Sequence, residues 1–136
     1  MKMVVGKGIS YLVLLWCALT FGSCTYYHAD EQVCNSMFPD TISFQQDVIP
    51  IFTASCSIYA CHAGSYPTGN LNLEPNQAYE ELTHPGSGYI NTGNPTHSIL
   101  YSMLISKSLP MPPDGKLDPC QIDLILTWIE QGALNN

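Results

Sequence analysis

The seven residues Cys56-Ser57-Ile58-Tyr59-Ala60-Cys61-His62 constrain this chain more than any other stretch. Two thiols and an imidazole on so short a segment lie close together in any fold, so the surrounding structure is organised by whatever they bind. Cysteine thiols add to the two vinyl groups of haem, and a His directly after the second cysteine is placed to reach the iron. The common spacing leaves two residues between the cysteines. Here four intervene, and the extra ones can bulge outward without moving His62 relative to Cys61. Three other readings use the same residues: a Cys56–Cys61 disulfide beside an incidental His, a zinc site, or attachment through Cys61 alone.

The beginning of the chain reads as an export signal rather than as part of the fold. Lys2 and Lys7 precede an apolar run from Ile9 to Leu19, which ends in Thr20-Phe21-Gly22-Ser23-Cys24. The run is shorter than the roughly 20 apolar residues of a membrane span, and its basic residues lie only on the N-terminal side. Small residues before a cysteine resemble a bacterial lipobox, which makes Cys24 the expected lipidated N-terminus after removal of residues 1–23. Ordinary cleavage nearby, leaving Cys24 a plain thiol, is the alternative. The expected location is the periplasm or the outer membrane, with membrane contact through the lipid. Cleavage removes two of the four cations and none of the 11 acidic residues, which takes the formal charge from −7 to −9. Such a surface excludes nucleic acid as a partner, because that binding rests on Lys and Arg neutralising phosphates. It suits protein partners met transiently.

In an oxidising compartment every thiol needs an account. If Cys24 takes lipid and Cys56 and Cys61 take a cofactor, Cys34 and Cys120 remain to pair with each other. Two free or differently paired thiols are the alternative.

Residues 24–42 are mostly polar and aperiodic and read as a tether, with His28 in it. The domain is expected over residues 43–136. Phe44, Val48, Ile51 and Phe52 recur at helical spacing behind Ser43 as a cap, with Pro50 limiting how regular that helix is. Gly, Pro and Asn mark a loop over residues 64–75, a short helix is allowed over Ala78–Thr83, and a second loop spans His84–Gly88. Pro95 and Thr96 open a helix carrying Ile99, Leu100, Met103 and Leu104. Asp118 caps a last helix with Pro119 at its first position, Ile122, Ile125, Leu126 and Ile129 on or near one face, Trp128 adding bulk, and Gly132 past its end. No stretch alternates with period two, so the expected class is all-α. A domain this small, with several short helices and many Gly and Pro residues, buries little surface alone. A porphyrin would supply a broad apolar face for it to pack around.

From Phe44 to Ala133 the chain resembles the class I-type cytochrome c domain of the planctomycete type. The blocks carrying the resemblance are Asp47 to Phe52, Cys56 to His62, Gly69 to Leu73, Gly93 to Leu100, Met111 to Pro113, and Trp128 to Ala133. The four-residue gap between the cysteines departs from the usual pattern, although longer gaps occur in some multihaem cytochromes. The resemblance implies a compact helical shell around one covalent haem c, electron transfer rather than enzymatic turnover, and Met111 as the distal axial ligand opposite His62. Met111 also makes sense on its own chemistry. A thioether is a soft neutral ligand, and Pro110, Pro112 and Pro113 stiffen the backbone that presents it. Met103 has the helical spacing of an ordinary core residue. His97 and His84 are the remaining competitors for the sixth position. An open sixth position would instead fit a haem enzyme or a gas sensor, and a disulfide-stabilised surface module without haem is the third class.

Overall fold

The computed structural model describes Cys34 and residues 37–136. The export signal, Cys24 and His28 lie outside the described residues. Those described form an all-α unit. No strand occurs among them, only an isolated bridge between Tyr59 and Ala63.

The first helical segment begins where the sequence places a cap. Ser43 Oγ accepts from the Gln46 amide at 3.2 Å while the Asp47 carboxylate accepts from the Ser43 amide at 2.7 Å, so two amides with no helical partner are satisfied reciprocally. Phe44–Val48 is a π-helical turn that runs directly into helix α1, Ile49–Ser55. The register changes just before Pro50, which has no amide to donate to the ladder. Phe44, Val48, Ile49, Ile51 and Phe52 turn inward.

Helix α2, Ala78–Thr83, is a short connector that buries Ala78 and Leu82. The next helix differs from the sequence expectation. Pro95–His97 forms a separate 3₁₀ turn, Ser98 is extended, and helix α3 spans Ile99–Ile105. The break has a tertiary cause. Ser98 is fully buried, and its Oγ accepts from the Asn91 amide at 2.9 Å. The Ile99 and Leu100 amides donate to the carbonyls of Gly88 and Tyr89, each at 3.2 Å, so residues 88–89 satisfy the first amides of α3.

Helix α4, Pro119–Glu130, is the longest helix among the described residues and opens on a capping box. Asp118 accepts from the Cys120 amide at 2.8 Å, and Gln121 Oε1 accepts from the Asp118 amide at 3.2 Å. It ends where Gly132, at φ +97°, turns the chain into the left-handed region that a side chain would disfavour. Helix α4 buries Ile125, Trp128 and Ile129; Ile122 and Leu126 are half-buried. It packs against α3 and against the Phe44–Val48 turn.

Phe44 is the hub of the core. Its ring centroid lies 4.9 Å from Trp128, 5.3 Å from Tyr79 and 6.3 Å from Phe52, the last two edge-on. Both polar-tipped rings find a carbonyl, Trp128 Nε1 donating to Leu134 at 2.9 Å and the Tyr79 hydroxyl to Ala133 at 3.0 Å. Residues ahead of Ser43 also join this unit. Ile42 is buried, Phe38 packs on the core, and the Ile42 amide donates to Gln131 Oε1 at 2.8 Å. Cys34, also buried, is disulfide-bonded to Cys120 in the first turn of α4, with Cα atoms 5.2 Å apart.

Candidate haem-binding site

The Cys56–His62 segment leaves α1 as a closed bulge. The Cys56 and Ser57 amides both donate to the Phe52 carbonyl, at 2.8 and 2.7 Å, which ends the helix. The chain then swings outward, leaving Ile58 and Tyr59 exposed, and returns through Ala60 at φ +68°. The return is fastened by the His62 amide donating to the Cys56 carbonyl at 3.2 Å. Thr68 clamps the bulge from outside, its amide donating to Cys61 at 2.6 Å and its hydroxyl to Ala60 at 3.1 Å. The intervening residues thus stand out into solvent while Cys56, Cys61 and His62 stay together at one cleft.

The ring of His62 is held in one orientation. Its Nδ1 lies 3.2 Å from the Leu71 carbonyl, an acceptor only, so Nδ1 must carry the proton of that bond. The lone pair of the neutral ring is then on Nε2. A backbone carbonyl on one ring nitrogen with the other left basic is the usual arrangement of a metal-ligating imidazole. The Leu73 amide donates to the His62 carbonyl at 2.8 Å, fixing main chain as well as ring.

His62 faces two adjoining cavities of about 340 and about 250 Å³ that share Cys56, His62, Thr68 and Met111 as lining. Their size suits a ligand of roughly 300–1,000 Å³. The larger is walled by aliphatic side chains, among them Leu71, Leu73, Leu100 and Leu104, and by Tyr89. Ile99 and Met103, on the same wall, remain 40% and 39% exposed in the protein alone, apolar surface that a flat apolar ligand would cover. Cys56 and Cys61 are not bonded to each other. Burial, and then the neighbouring Cys61, push the Cys56 thiol up to about 11, so it stays uncharged at neutral pH. Among the described residues no group of three His, Cys, Asp or Glu side chains is placed to cage a metal ion, so the zinc reading lacks its donors. Iron held at His62 would need a macrocycle to supply most of its ligands. Two unpaired thiols, an oriented imidazole and an apolar cleft fit haem.

Met111 reaches this cleft from a loop pinned to the end of α3. The Leu109 amide donates to Ser106 Oγ at 3.0 Å, and the Met111 amide to the Met103 carbonyl at 3.1 Å. The Met111–Pro112 peptide is cis. Met103 is not the core residue its spacing predicts. It lies on the same cleft wall, because helical spacing identifies an inward face without saying whether protein or cofactor fills the space inside. His84 and His97 are exposed and line neither cavity. Nothing in the sequence marks Thr68 or Tyr89 as lining the site. A lone Thr or Tyr in a Gly-rich loop carries no periodic signal.

Residues 59–115 match the family model described as Planctomycete cytochrome C. The match takes in Cys61, His62 and Met111 and begins inside the bulge, after Cys56. It covers less than half of the chain. No curated protein and no solved structure matches. A cytochrome c likeness over this segment, in an all-α unit with an apolar cleft, supports haem binding and electron transfer.

Proposed function

We propose that the chain is a monohaem c-type cytochrome, an electron carrier that holds one haem c covalently through Cys56 and Cys61 with His62 and Met111 as axial iron ligands. The observation that carries this reading is the His62 ring, oriented by Leu71, on adjoining apolar cavities that two unbonded thiols and Met111 also line.

Bound haem supplies an iron that takes up and releases one electron. Everything else is the work of the chain. Cys56 and Cys61 would hold the haem by adding each thiol across a vinyl group, sulfur to one carbon and hydrogen to the other, which would consume neither oxidant nor reductant. His62 presents Nε2, and its Nδ1–H bond to Leu71 raises the basicity of the ring. Met111 presents a thioether, which favours the reduced iron relative to a second imidazole. The aliphatic wall would keep water from the haem, and ligation by both His62 and Met111 would leave no site for a substrate. The Lys2-to-Cys24 pattern supports an exported lipoprotein in a bacterial envelope, and the acidic surface supports transient redox-protein partners.

The test is chemical. Protein matured in an export-competent host should give a pyridine haemochrome spectrum of a c-type haem, and the haem should stay with the denatured chain after acidic organic extraction. Haem that extracts freely ends the covalent reading, and protein matured without haem ends the cytochrome reading.

A further inference from the structure

The segment that orients His62 is itself held by side chains unrelated to the Cys-His motif. We infer that Asn72 and Glu74 are positioning residues for His62, bracing the Leu71 carbonyl that fixes its ring; the electronic part of this inference rests on the haem reading above.

Asn72 is 5% exposed, an amide buried between two leucines where an apolar residue would ordinarily pack. Its buried position is compensated by a closed set of bonds. Asn72 Nδ2 donates to the Gly64 carbonyl at 3.3 Å and to Glu74 Oε2 at 3.0 Å, while its Oδ1 accepts from the Glu74 amide at 2.8 Å. Glu74 Oε2 also accepts from the Gly64 amide at 3.2 Å. Both polar groups of Gly64, two residues past His62, are therefore gripped, and Gly64 at φ +82° takes a backbone conformation that side chains rarely adopt. These bonds interleave with those of the ligand. Leu71 accepts from the His62 ring, Leu73 donates to the His62 carbonyl, and Asn72 and Glu74 hold Gly64.

The two segments are locked in register, so the Leu71 carbonyl cannot slide relative to the ring. The Asn72 bond, and then the Gly64 bond, hold the Glu74 carboxyl below the usual carboxylate range, so it stays an ionised acceptor at neutral pH. A polar hollow of about 410 Å³ opens on the outer side of this network, bordered by Gly64, Asn72 and Glu74.

The readout is the His62 imidazole, followed by nitrogen-resolved NMR on the full chain with and without haem. Wild type should show a single Nδ1–H tautomer with slow proton exchange. Asn72→Ala, which changes no charge, should speed that exchange at least tenfold, lose the single tautomer in the haem-free chain, and raise the midpoint potential of the loaded protein as ring basicity falls. Glu74→Ala should do the same, and it carries the test should Asn72→Ala fail to fold. Glu74→Gln keeps an acceptor oxygen for Gly64 and Asn72 and should leave the His62 signals at wild-type values. Wild-type exchange and tautomer in folded Asn72→Ala or Glu74→Ala would overturn the inference, even with a shifted potential, which would then report only altered electrostatics. Wild type that never takes up haem would overturn the cytochrome reading instead, and the tautomer of the haem-free chain would still decide the role of Asn72 and Glu74.

Discussion

The amide of Met111 donates to the carbonyl of Met103 at 3.1 Å, so both thioethers that line the larger cavity are anchored at the same end of helix α3. Only Met111 also borders the smaller cavity with Cys61. The sequence gives no distance between the two methionines; the hydrogen bond makes them neighbours and makes their roles separable by mutation.

Met111→Ala should open the sixth iron position of the loaded protein. It should bind carbon monoxide rapidly, lose the near-infrared absorption of sulfur ligation in the ferric form, and fall in potential. Met103→Ala should keep wild-type axial spectra and lose only packing, on the order of 2–3 kcal/mol at most because the side chain is already partly exposed. Rapid carbon monoxide binding by wild type would move the enzyme or sensor reading ahead.

The Cys34–Cys120 bond closes a loop with a sequence separation of 86. Chain-entropy arguments assign such a loop about 4–5 kcal/mol of stabilisation. The Cys34→Ser/Cys120→Ser double variant should unfold at a clearly lower denaturant concentration while its cleft spectra stay native. Alkylation of both wild-type thiols before reduction would refute the bond.

Glu74 has its folded-state value lowered, by Asn72 first and Gly64 second, from an ordinary 4.5. The unfolded chain therefore binds that proton more readily, so this contribution to stability is present above about pH 4.5 and is lost as pH falls through the lowered value. Denaturation midpoints between pH 7 and 3 should fall less steeply for Glu74→Gln than for wild type. Parallel curves would show that the carboxylate adds nothing to acid stability.

In the aromatic core, Trp128 is fully buried, so Trp128→Ala should cost about 3–5 kcal/mol. Tyr79→Phe removes only the hydroxyl donor to Ala133 and should cost about 1 kcal/mol. Equal losses in urea titrations would mean the ring contacts with Phe44 are not what holds this region.

Local signals made much of the fold readable. Asp118-Pro119 and Gly132 bracket α4 because caps act over three or four residues, and Ser43 marks the first helical turn for the same reason. Ser98 looked like helix interior because what breaks the helix there, the pairing of Ile99 and Leu100 with Gly88 and Tyr89, involves loop residues with no periodicity. The site divides the same way. Cys56, Cys61 and His62 are nearly contiguous, whereas Asn72 and Glu74 meet Gly64 only after the intervening loop folds back. Met103 shows the limit of pattern reading, since a cavity wall and a packed core require the same spacing.

Asn136 accepts from Ser43 Oγ at 2.7 Å and from the Gln45 amide at 3.1 Å through its carbonyl, and from the Phe44 amide at 3.0 Å through Oδ1. The start of the first helical segment and the end of the described residues therefore meet at a single seam. A change at Asn136 would reach the cap of the first helical turn, although the two are 93 residues apart in sequence.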